Sequence, residues 1–442
     1  MNKIGTGTLV PSYNNNGTKV PTSKGYKQTK VGVIPEDWKE FQLKDILNLT
    51  LEPLKMEDEK EYELITVRRR FGGVDSRGLF QGKEILVKNQ FYVHENDFVI
   101  SKRQISHGAC GLVPAELNRA IVSNEYNVFQ PNKSLLNQEF FNYYVRLPKF
   151  SQTFYNYSDG VHIEKLLFKT QSWLKQKIPF PPLKEQQKIA QILTTWDDAI
   201  SKQEELIEAK ERLKKGLMQK LLSGEVRFGG GVLTPSGVET LVSFTNDNGT
   251  EVPAPEWEEV KLVDVAQINP KNSKLPSSFV YIDLGSVKNG LLLRETIISS
   301  SGAPSRAQRL LQINDILFQM VRPYQKNNLY FTLEGDYVAS TGYAQIRALS
   351  SSRYLYHYLH WDKFVNKVLL HCTGTGYPAI NSKDLGKIKI KLPPLQEQQK
   401  IAQVLTTEDK EIELLKKELE TLKEQKCGLM QRLLSGVVRV KV

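Results

Sequence analysis

Two groups of basic and amide side chains have the chemistry needed to read the edges of DNA bases. In the first half of the chain the group comprises Arg68, Arg69, Arg70, Lys102, Arg103 and Gln104. In the second half it comprises Arg306, Arg309, Gln319, Arg322, Tyr324, Gln325 and Lys326. Arginine can bind guanine through two hydrogen bonds, and an amide can bind adenine in the same way. Basic side chains on phosphates position a protein without reading sequence. We therefore predict that both groups bind DNA, with solvated surface as the alternative for any single residue.

A shared local pattern favours one arginine in each half as a base contact. Asn96-Asp97 precedes the apolar run that leads to Arg103, and Asn314-Asp315 precedes the run that leads to Arg322. Both runs have the composition of short buried strands. Arg103 and Arg322 are therefore expected to follow equivalent strands and to contact bases.

Motifs for catalysis are missing from the sequence. It contains no phosphate-binding loop of the form GxxxxGK[ST], and no glycine-rich dinucleotide fingerprint. No Asn-Pro-Pro-Tyr or Asp-Pro-Pro-Tyr segment is present, and the 6 histidines and 3 cysteines match no metal-ligand spacing. We predict that this chain carries no catalytic residues, binds no metal and holds no cofactor of its own.

The overall charge suits a polyanionic partner. The 442 residues carry a formal net charge of +11, although a basic protein without a nucleic acid partner would have the same composition. Sparse cysteines suit a reducing compartment, and neither a signal peptide nor an apolar stretch of about 20 residues is visible. A cytoplasmic location is expected.

The chain repeats itself. PPLKEQQKIAQILTT at 181–195 matches PPLQEQQKIAQVLTT at 393–407, and GLMQKLLSG at 216–224 matches GLMQRLLSG at 428–436. Pro35-Glu36-Asp37-Trp38 resembles Pro255-Glu256-Trp257, and residues 9–21 resemble residues 241–253. The last pair predicts hairpins that turn at Asn16-Gly17 and Asn248-Gly249. The first two matches share one constant offset, which indicates duplication of a segment.

Each copy of the repeated segment predicts a long helix. The paired prolines precede good helix formers, and Ser-Gly closes each segment. Apolar residues recur at alternating steps of four and three, which is typical of a coiled-coil seam. The seam positions of the first copy are Ile189, Leu193, Trp196, Ile200, Gln203, Ile207, Lys210, Lys214, Leu217 and Leu221. Those of the second are Ile401, Leu405, Glu408, Ile412, Leu415, Leu419, Leu422, Lys426, Leu429 and Leu433.

Three further expectations concern these helices. Leu206 and Leu213 suggest a local shift of register in the first copy. Asp197 and Asp198 are expected to be solvated. The two copies are expected to pair with each other in antiparallel orientation, which would place one variable domain at each end. Homodimerisation through each helix is the alternative.

Between the repeats the halves differ, and both predict mixed α and β structure. Strands are expected at 84–87, 98–100, 279–282 and 388–390, and aromatic-rich helices at 135–147 and 352–370. The predicted fold class is α+β, with two recognition domains, two long helices and an internal pseudo-two-fold repeat.

The expected domains are an N-terminal repeat segment at 1–30, a recognition domain at 31–180, a helix at 181–224, a connector at 225–252, a second recognition domain at 253–392, and a helix with a C-terminal strand at 393–442.

This constellation resembles the specificity subunits of type I restriction–modification enzymes over essentially the whole chain. The carriers of the resemblance are the doubled PPLxEQQKIAQ helix, the doubled LLSG ending, and the Pro-Glu-(Asp)-Trp entry to each variable domain. The family implies two target recognition domains that each read one half of a bipartite site in double-stranded DNA.

The resemblance also implies partners. Two methyltransferase subunits would carry S-adenosylmethionine, and two motor/nuclease subunits would use ATP and Mg²⁺, with one copy of this chain in each complex. The alternative is a coiled-coil DNA-binding or architectural protein that works alone.

Overall fold

The computed structural model describes residues 25–29, 31–162, 166–228, 244–245, 251–252, 256–272, 274–374 and 376–441. The chain divides into two units, one formed by Met1–Lys202 and Leu419–Val442 and the other by Gln203–Glu418. Each unit therefore combines sheets and short helices with a stretch of both long helices. No helix among the described residues has the length and apolar character needed to cross a membrane.

The first unit contains β-strands and short helices ahead of the first long helix. Its strands are β1 (Tyr26–Thr29), β2 (Gly32–Pro35), β3 (Lys39–Gln42), β4 (Leu47–Thr50), β5 (Glu52–Leu54), β6 (Glu61–Val67), β7 (Val74–Gln81), β8 (Gln90–Tyr92), β9 (Phe98–Ser101), β10 (Cys110–Leu112), β11 (Ile121–Ser123), β12 (Tyr126–Pro131), β13 (Ser158–Asp159), β14 (Leu167–Phe168) and β15 (Lys177–Phe180). Its helices are α1 (Leu43–Ile46), α2 (Gln138–Tyr144), α3 (Pro148–Asn156), α4 (Thr170–Trp173) and the first part of α5 (Leu183–Ser223).

The second unit repeats this plan. Its strands are β16 (Phe244–Thr245), β17 (Glu251–Val252), β18 (Glu258–Lys261), β19 (Ala266–Ile268), β20 (Ser278–Ile282), β21 (Val287–Lys288), β22 (Leu291–Leu292), β23 (Thr296–Ser299), β24 (Ala307–Leu310), β25 (Ile316–Gln319), β26 (Leu329–Tyr330), β27 (Tyr337–Ser340), β28 (Tyr343–Ala348) and β29 (Lys389–Leu392). Its helices are α6 (Leu262–Val265), α7 (Ser352–His360), α8 (Asp362–Leu370), α9 (Ser382–Lys387) and α10 (Leu395–Leu434), whose last residues belong to the first unit.

The sheets of the two units have equivalent topology. One sheet has the order β10-β9-β12-β4 in the first unit and β26-β25-β28-β19 in the second. The other has the order β5-β8-β11-β6-β7 in the first unit and β24-β27-β20-β23 in the second, where no strand matches β5. In both, a parallel pair lies in the middle, β11 with β6 and β27 with β20. The predicted mixed recognition domains with an internal repeat are therefore confirmed.

The aromatic-rich helices form the cores beside these sheets. Asn137 caps α2 and Ser351 caps α7 through side-chain oxygens, as expected at helix N-termini. The prediction of one helix at 352–370 is wrong, because Trp361 is extended and separates α7 from α8. Its indole is buried and donates to Gln219 at 3.0 Å, so side-chain packing stabilises the break.

The strand predicted at 84–87 is also wrong. Residues Gly82–Glu84 form a 3-10 turn, and the Glu84 carboxylate accepts a hydrogen bond from the Gln81 amide at 2.8 Å. Ile85 is buried, but Leu86 and Val87 are 95% and 50% exposed, and residues 85–87 lie in no strand. The strands predicted at 98–100, 279–282 and 388–390 lie in or overlap β9, β20 and β29.

The two long helices begin and end where the repeated motifs predict. α5 starts directly after Pro182 and α10 directly after Pro394, since proline is tolerated at the start of a helix and not inside it. Gly224 and Gly436 follow the helix ends with φ of 81° and 76°, the left-handed conformation that favours glycine.

The coiled-coil seam is confirmed in both copies. Every predicted seam position in α5 and α10 is buried or half-buried. The predicted register shift is wrong, because Leu206 and Leu213 are 43% and 49% exposed while Ile207 between them is 7% exposed. Lys210 and Lys214 occupy seam positions and form ion pairs with the other helix. The seam therefore keeps one register, and Leu206 and Leu213 do not replace these lysines in it.

Two ion pairs of the second unit show that the long helices are antiparallel there. In the second unit Lys210 pairs with Glu411 at 2.8 Å and Lys214 pairs with Asp409. In the first unit Lys426 pairs with Asp197. As the number rises along one helix it falls along the other, which is the predicted orientation.

The ion pairs of the two units are equivalent under a shift of 212 residues. Lys214 and Asp409 of one unit correspond to Lys426 and Asp197 of the other. Asp197 is half-buried and also accepts a hydrogen bond from the Tyr143 hydroxyl at 2.6 Å. The expectation that Asp197 is solvated is therefore wrong, because a lysine in the seam recruits it. Asp198 is exposed, as expected.

A second pair of charges joins the start of each long helix to a segment that follows a helix end. Glu185 is buried and accepts two hydrogen bonds from the guanidinium of Arg439, at 2.8 and 2.7 Å. Glu397 is buried and accepts two from Arg227, at 2.8 and 2.9 Å. Two parallel bonds of this kind are among the stronger interactions in proteins. They explain why the EQQ motif follows the prolines in both copies.

This pairing also corrects the prediction of a C-terminal strand. Residues 435–441 contain no strand. Val438 and Val440 pack against the core of the first unit, and the Val440 amide donates to Glu185 at 3.5 Å. Side-chain contacts therefore hold the segment where a strand ladder was expected.

The hairpin predicted at Asn248-Gly249 is supported by the strands on either side of it. β16 and β17 pair in antiparallel register, Phe244 with Val252 and Thr245 with Glu251. The turn residues themselves, and the equivalent hairpin at Asn16-Gly17, lie outside the described residues. The limits of the six predicted domains stay predictions.

The register of the seam can be tested with two adjacent residues. Ile207→Ala should lower the free energy of unfolding by about 2 kcal/mol, because it removes buried apolar volume. Leu206→Ala should change it by less than about 0.5 kcal/mol, because that side chain is exposed. Urea unfolding of the two variants measures the difference, and equal losses would contradict this register.

Candidate DNA-reading surface

The strand that precedes each predicted DNA contact is built in the same way in both units. Asn96 and Asn314 adopt the left-handed conformation, with φ of 68° and 73°. The carboxylate of Asp97 accepts a hydrogen bond from the His94 amide, and that of Asp315 accepts one from the Gln312 amide, both at 2.8 Å. This tight turn sets the start of β9 and β25, so the Asn-Asp pattern correctly identified equivalent strands.

The residues after these strands correspond with a shift of one from the predicted pairing. The amide of Lys102 donates to Glu125 and that of Met320 donates to Gly342, both at 3.0 Å, so Lys102 and Met320 are equivalent. Gln104, rather than Arg103, is therefore the counterpart of Arg322. The sequence prediction paired Arg103 with Arg322 because each is the first arginine after its Asn-Asp pair. The second half has one more residue between that pair and its arginine, so the two arginines are not structurally equivalent.

In the first unit an arginine-rich turn is held against the loop that follows β9. The amide of Arg70 donates to His107 at 2.7 Å and that of Phe71 donates to Gly108 at 2.8 Å. Arg70 and Phe71 both have left-handed backbones, with φ of 58° and 57°. Such conformations cost about 1 to 3 kcal/mol for residues other than glycine and occur often at functional sites. The arginine-rich turn is thus held against residues 107 and 108, which follow the second predicted basic segment.

A close approach at Gly108 positions this turn. A β-carbon at residue 108 would lie 3.0 to 3.2 Å from the ring of Phe71, and the φ of Gly108 is 74°. Only glycine satisfies both conditions without displacing the ring. The position of Arg70 therefore depends on Gly108, which the sequence analysis did not single out.

The turn and the loop form one wall of an open cleft of about 780 Å³. The opposite wall is α3. The cleft is lined by Arg69, Arg70, Phe71, Ile105, Ser106, His107, Gly108, Ser151, Gln152, Phe154 and Tyr155. None of these side chains is acidic, so the surface favours an anion. Gln152 and Tyr155 are contributions of α3 that the sequence analysis missed, because the predicted helix ended at residue 147, before α3 begins.

The other predicted residues of the first unit have partners within the chain. Arg68 pairs with Asp75, and Arg103 pairs with Glu125 at 2.6 Å. Lys102 donates to the carbonyl of Asn124. Gln104 is half-buried, and its Oε1 is buried without a hydrogen-bond partner among the described residues. Arg103 and Lys102 are near the cleft in sequence, but they do not line it.

In the second unit Gln319 organises the loop rather than facing solvent. Its side chain is buried, its Oε1 accepts from the Asn327 amide at 3.0 Å, and its Nε2 donates to Gln325 at 2.9 Å. These bonds shape the segment that carries the 3-10 turn Pro323–Gln325. Gln319 is therefore placed to position Arg322 and Tyr324, and the amide is not available for a base in this conformation.

Arg322 is the organising cation of the second unit's loop. Its guanidinium lies 4.1 Å from the centre of the Tyr377 ring, and its amide donates to Pro378 at 2.7 Å. Its backbone is left-handed, with φ of 53°. Tyr324 and Tyr377 are 50% and 68% exposed, so two aromatic rings are presented beside one arginine. Tyr377 was missed because nothing in its local sequence links it to a residue 55 positions earlier.

The remaining residues of the second group are more dispersed. Lys326 pairs with Asp362, and this contact lowers the pKa of that carboxyl group. Arg306 is exposed, and its carbonyl accepts from Thr341, next to the glycine that binds Met320. Arg309 on β24 is half-buried, and burial lowers its pKa. The structure thus places Arg322, Tyr324 and Lys326 in one loop, and Arg306 near the same end of the domain.

Within the described parts of the chain, no group of three or more His, Cys, Asp or Glu side chains is arranged to hold a metal ion.

Comparison with known proteins agrees with this architecture. The family model for the type I restriction modification DNA specificity domain matches residues 35–211 and 255–424. The chain is 27% identical to the putative type I restriction enzyme MjaX specificity subunit of Methanocaldococcus jannaschii over 95% of this chain and 97% of that protein. It is 26% identical to the MjaVIII specificity subunit of the same organism, over 92% and 94% of the two chains.

Two solved structures have a similar fold. A chain from a study of complex assembly and conformational transition of the type I R-M system superposes with a TM-score of 0.53 and 18% identity, covering 91% of this chain and 99% of that one. The S subunit of a type I restriction-modification system from M. genitalium superposes with a TM-score of 0.52 and 16% identity, covering 92% and 97%. Since two copies of the family's domain account for most of its length, this chain belongs to the DNA specificity subunits of type I restriction–modification systems.

Proposed function

We propose that this chain reads a bipartite site in double-stranded DNA, one half with the surface around the first unit's cleft and the other half with the Arg322 loop of the second unit. The observation that carries this proposal is the equivalence of the two surfaces. In each unit a loop follows the same Asn-Asp turn and buried strand, and the surface around that loop carries an arginine and an exposed tyrosine. Different side chains on one scaffold would allow two different half-sites.

The chain itself would do no chemistry. Methyl transfer to adenine would belong to two partner methyltransferase subunits that carry S-adenosylmethionine. Cleavage would belong to two motor/nuclease subunits that use ATP and Mg²⁺. The exact internal repeat of the Lys-Asp and Glu-Arg pairs supports two equivalent partner copies on a single copy of this chain. Because its substrate is cellular DNA, we place this complex in the cytoplasm.

Mass measurement of the assembled complex tests the partner proposal. The expected complex contains one copy of this chain and two copies of a methyltransferase. Methyl transfer to DNA should require the partner, and the purified chain with S-adenosylmethionine should be inactive. A chain that methylates DNA alone, or that binds its site as a complete unit without any partner, would support the stand-alone alternative, which the family assignment disfavours.

Sequence selection tests the DNA-reading proposal. The assembled methyltransferase complex would be incubated with a library of randomised duplexes, and the bound fraction sequenced. Two specific half-sites separated by a spacer of undefined sequence are expected. Enrichment of a single continuous site would contradict reading by two separate domains.

Arg322→Ala should relax the specificity of one half-site and leave the other unchanged. The loss of a contact with two hydrogen bonds costs about 1 to 3 kcal/mol of discrimination against the wrong base. Arg294→Ala is the matched control, because Arg294 is an exposed arginine of the same unit that belongs to neither predicted DNA-binding group and faces Asp283. Competition binding between cognate and single-base variants measures the effect. Uniform weakening on all duplexes would instead identify Arg322 as a phosphate contact.

A further inference from the structure

The exposed side of α3 presents an amide to the cleft of the first unit. Gln152 is exposed and lines the cleft together with Arg70, His107 and Tyr155. Its Nε2 donates to Asn156 at 3.2 Å, a contact between two exposed side chains one helical turn apart. Such a surface bond is readily exchanged for another partner, so the amide is accessible to a ligand.

The helix under this amide is rigidly placed. Phe150 and Phe154 of α3 are buried, and their rings contact Trp173 at centroid distances of 6.1 and 5.6 Å. α3 also packs against the 3-10 turn Ile105–His107. A side chain carried by a well-packed helix is held more accurately than one on a loop. Gln152 therefore has a better-defined direction than the arginines on the opposite wall.

An amide occupies the equivalent position in the second unit. Asn137 caps α2 by accepting from the Phe140 amide, and Ser351 caps α7 by accepting from the Tyr354 amide, which aligns the helices at a shift of 214 residues. Under that shift Pro148 at the start of α3 matches Asp362 at the start of α8, and Gln152 matches Asn366.

The surroundings of Asn366 resemble those of Gln152. Asn366 is exposed. It lies four residues after Asp362, which pairs with Lys326 of the Arg322 loop, and residues four apart share one face of a helix. α8 packs against the 3-10 turn Pro323–Gln325, as α3 packs against its own 3-10 turn. An amide is thus found beside the DNA-reading loop in both units, although the rest of these surfaces differs.

We propose that Gln152 and Asn366 are equivalent specificity-determining residues, each of which reads an adenine in its own half-site. The side-chain amide offers one donor and one acceptor, which match N6 and N7 of adenine in the major groove. The absence of acidic side chains from the cleft lining allows the DNA backbone to approach. This inference rests on the proposed function, since it assumes that the two surfaces read DNA.

The test compares sequence selection by the assembled complex with wild-type chain, Gln152→Ala and Asn366→Ala, using randomised duplex DNA. Gln152→Ala should make one adenine position of one half-site degenerate, with a loss of about 5- to 150-fold in discrimination at that position. Asn366→Ala should do the same in the other half-site. Gln171→Ala is the matched control, because Gln171 is an exposed glutamine on α4 outside the cleft lining.

Each outcome decides the proposal. An unchanged motif for both variants, uniform weakening on all sequences, or degeneracy at a position that prefers another base would overturn it. Absence of any motif with the wild-type chain would instead defeat the proposed function. Thermal unfolding of each variant should match the wild type, because both side chains are exposed.

Discussion

Arg439→Ala is expected to lower the free energy of unfolding by about 3 to 5 kcal/mol. Arg439 is the cation that faces Glu185, whose side chain is 1% exposed at the start of the first long helix. Removing the guanidinium leaves a buried carboxylate without its two hydrogen bonds. Arg439 also pairs with Asp37 at 2.6 Å and lowers the pKa of that carboxyl group. The substitution therefore disturbs two acidic groups together.

Urea unfolding of the full chain measures this effect, and three controls define its origin. Arg227→Ala removes the equivalent contact with Glu397 in the second unit and should have a similar cost. Arg439→Lys keeps the charge but loses the two-bond geometry, so it should recover only part of the stability. Glu185→Leu added to Arg439→Ala should restore much of the loss, because no buried charge remains. A loss that stays complete in the double variant would show that the burial of charge is not the cause.

Lys426→Glu is expected to lower the free energy of unfolding by about 3 kcal/mol. Lys426 is 12% exposed in the seam of α10, where it pairs with Asp197 and lies 5.2 Å from the centre of the Tyr143 ring. The substitution places two carboxylates together at a half-buried position of the seam and removes the cation from the ring. A polar residue in a coiled-coil seam commonly specifies register and orientation, so the loss should be accompanied by weaker helix pairing.

A double-mutant cycle separates the pair from the individual side chains. Asp197→Lys combined with Lys426→Glu should recover more than half of the loss, because the charges attract again. Lys83→Glu is the control: it reverses an exposed pair with Glu59 and should cost less than about 1 kcal/mol. Hydrogen exchange of the helix amides reports the pairing directly. If the double variant is no more stable than Lys426→Glu alone, the ion pair does not specify the register.

Local patterns predicted the parts of this protein that depend on residues close in sequence. The limits of both long helices follow from proline and glycine, and the seam follows from steps of four and three. The burial of Ile207 beside exposed Leu206 shows that this periodicity outweighed the hydrophobicity of single residues. The mixed recognition domains and their duplication could also be predicted, because strand patterns and the repeated motifs are visible in one dimension.

Contacts between distant residues explain the predictions that were wrong. The segment 84–87 has strand-like composition, yet the adjoining turn is bonded to the carbonyls of Lys60 and Asp58, and residues 85–87 join no strand. Gln319 was predicted from the sequence to be a base-reading amide. In the structure its side chain is buried, and its amide group forms hydrogen bonds with Asn327 and Gln325 instead. Asp197 was expected on a solvated face of the first long helix, but it forms an ion pair with Lys426 of the other long helix.

The two basic groups show most clearly which features local sequence predicts and which depend on contacts between distant residues. Their residue types, and the place of part of each group after an Asn-Asp turn, led to the prediction of one DNA-contacting surface in each unit. The sequence alone determined the repeat, the helices, their seam and the family. Only the tertiary structure decided that Arg70 stands across a cleft from Gln152, that Arg322 stacks on Tyr377, and that Gln104 is the counterpart of Arg322. Those relations depend on strand pairing and on side-chain packing between segments far apart in the chain, which no local pattern of residue types encodes.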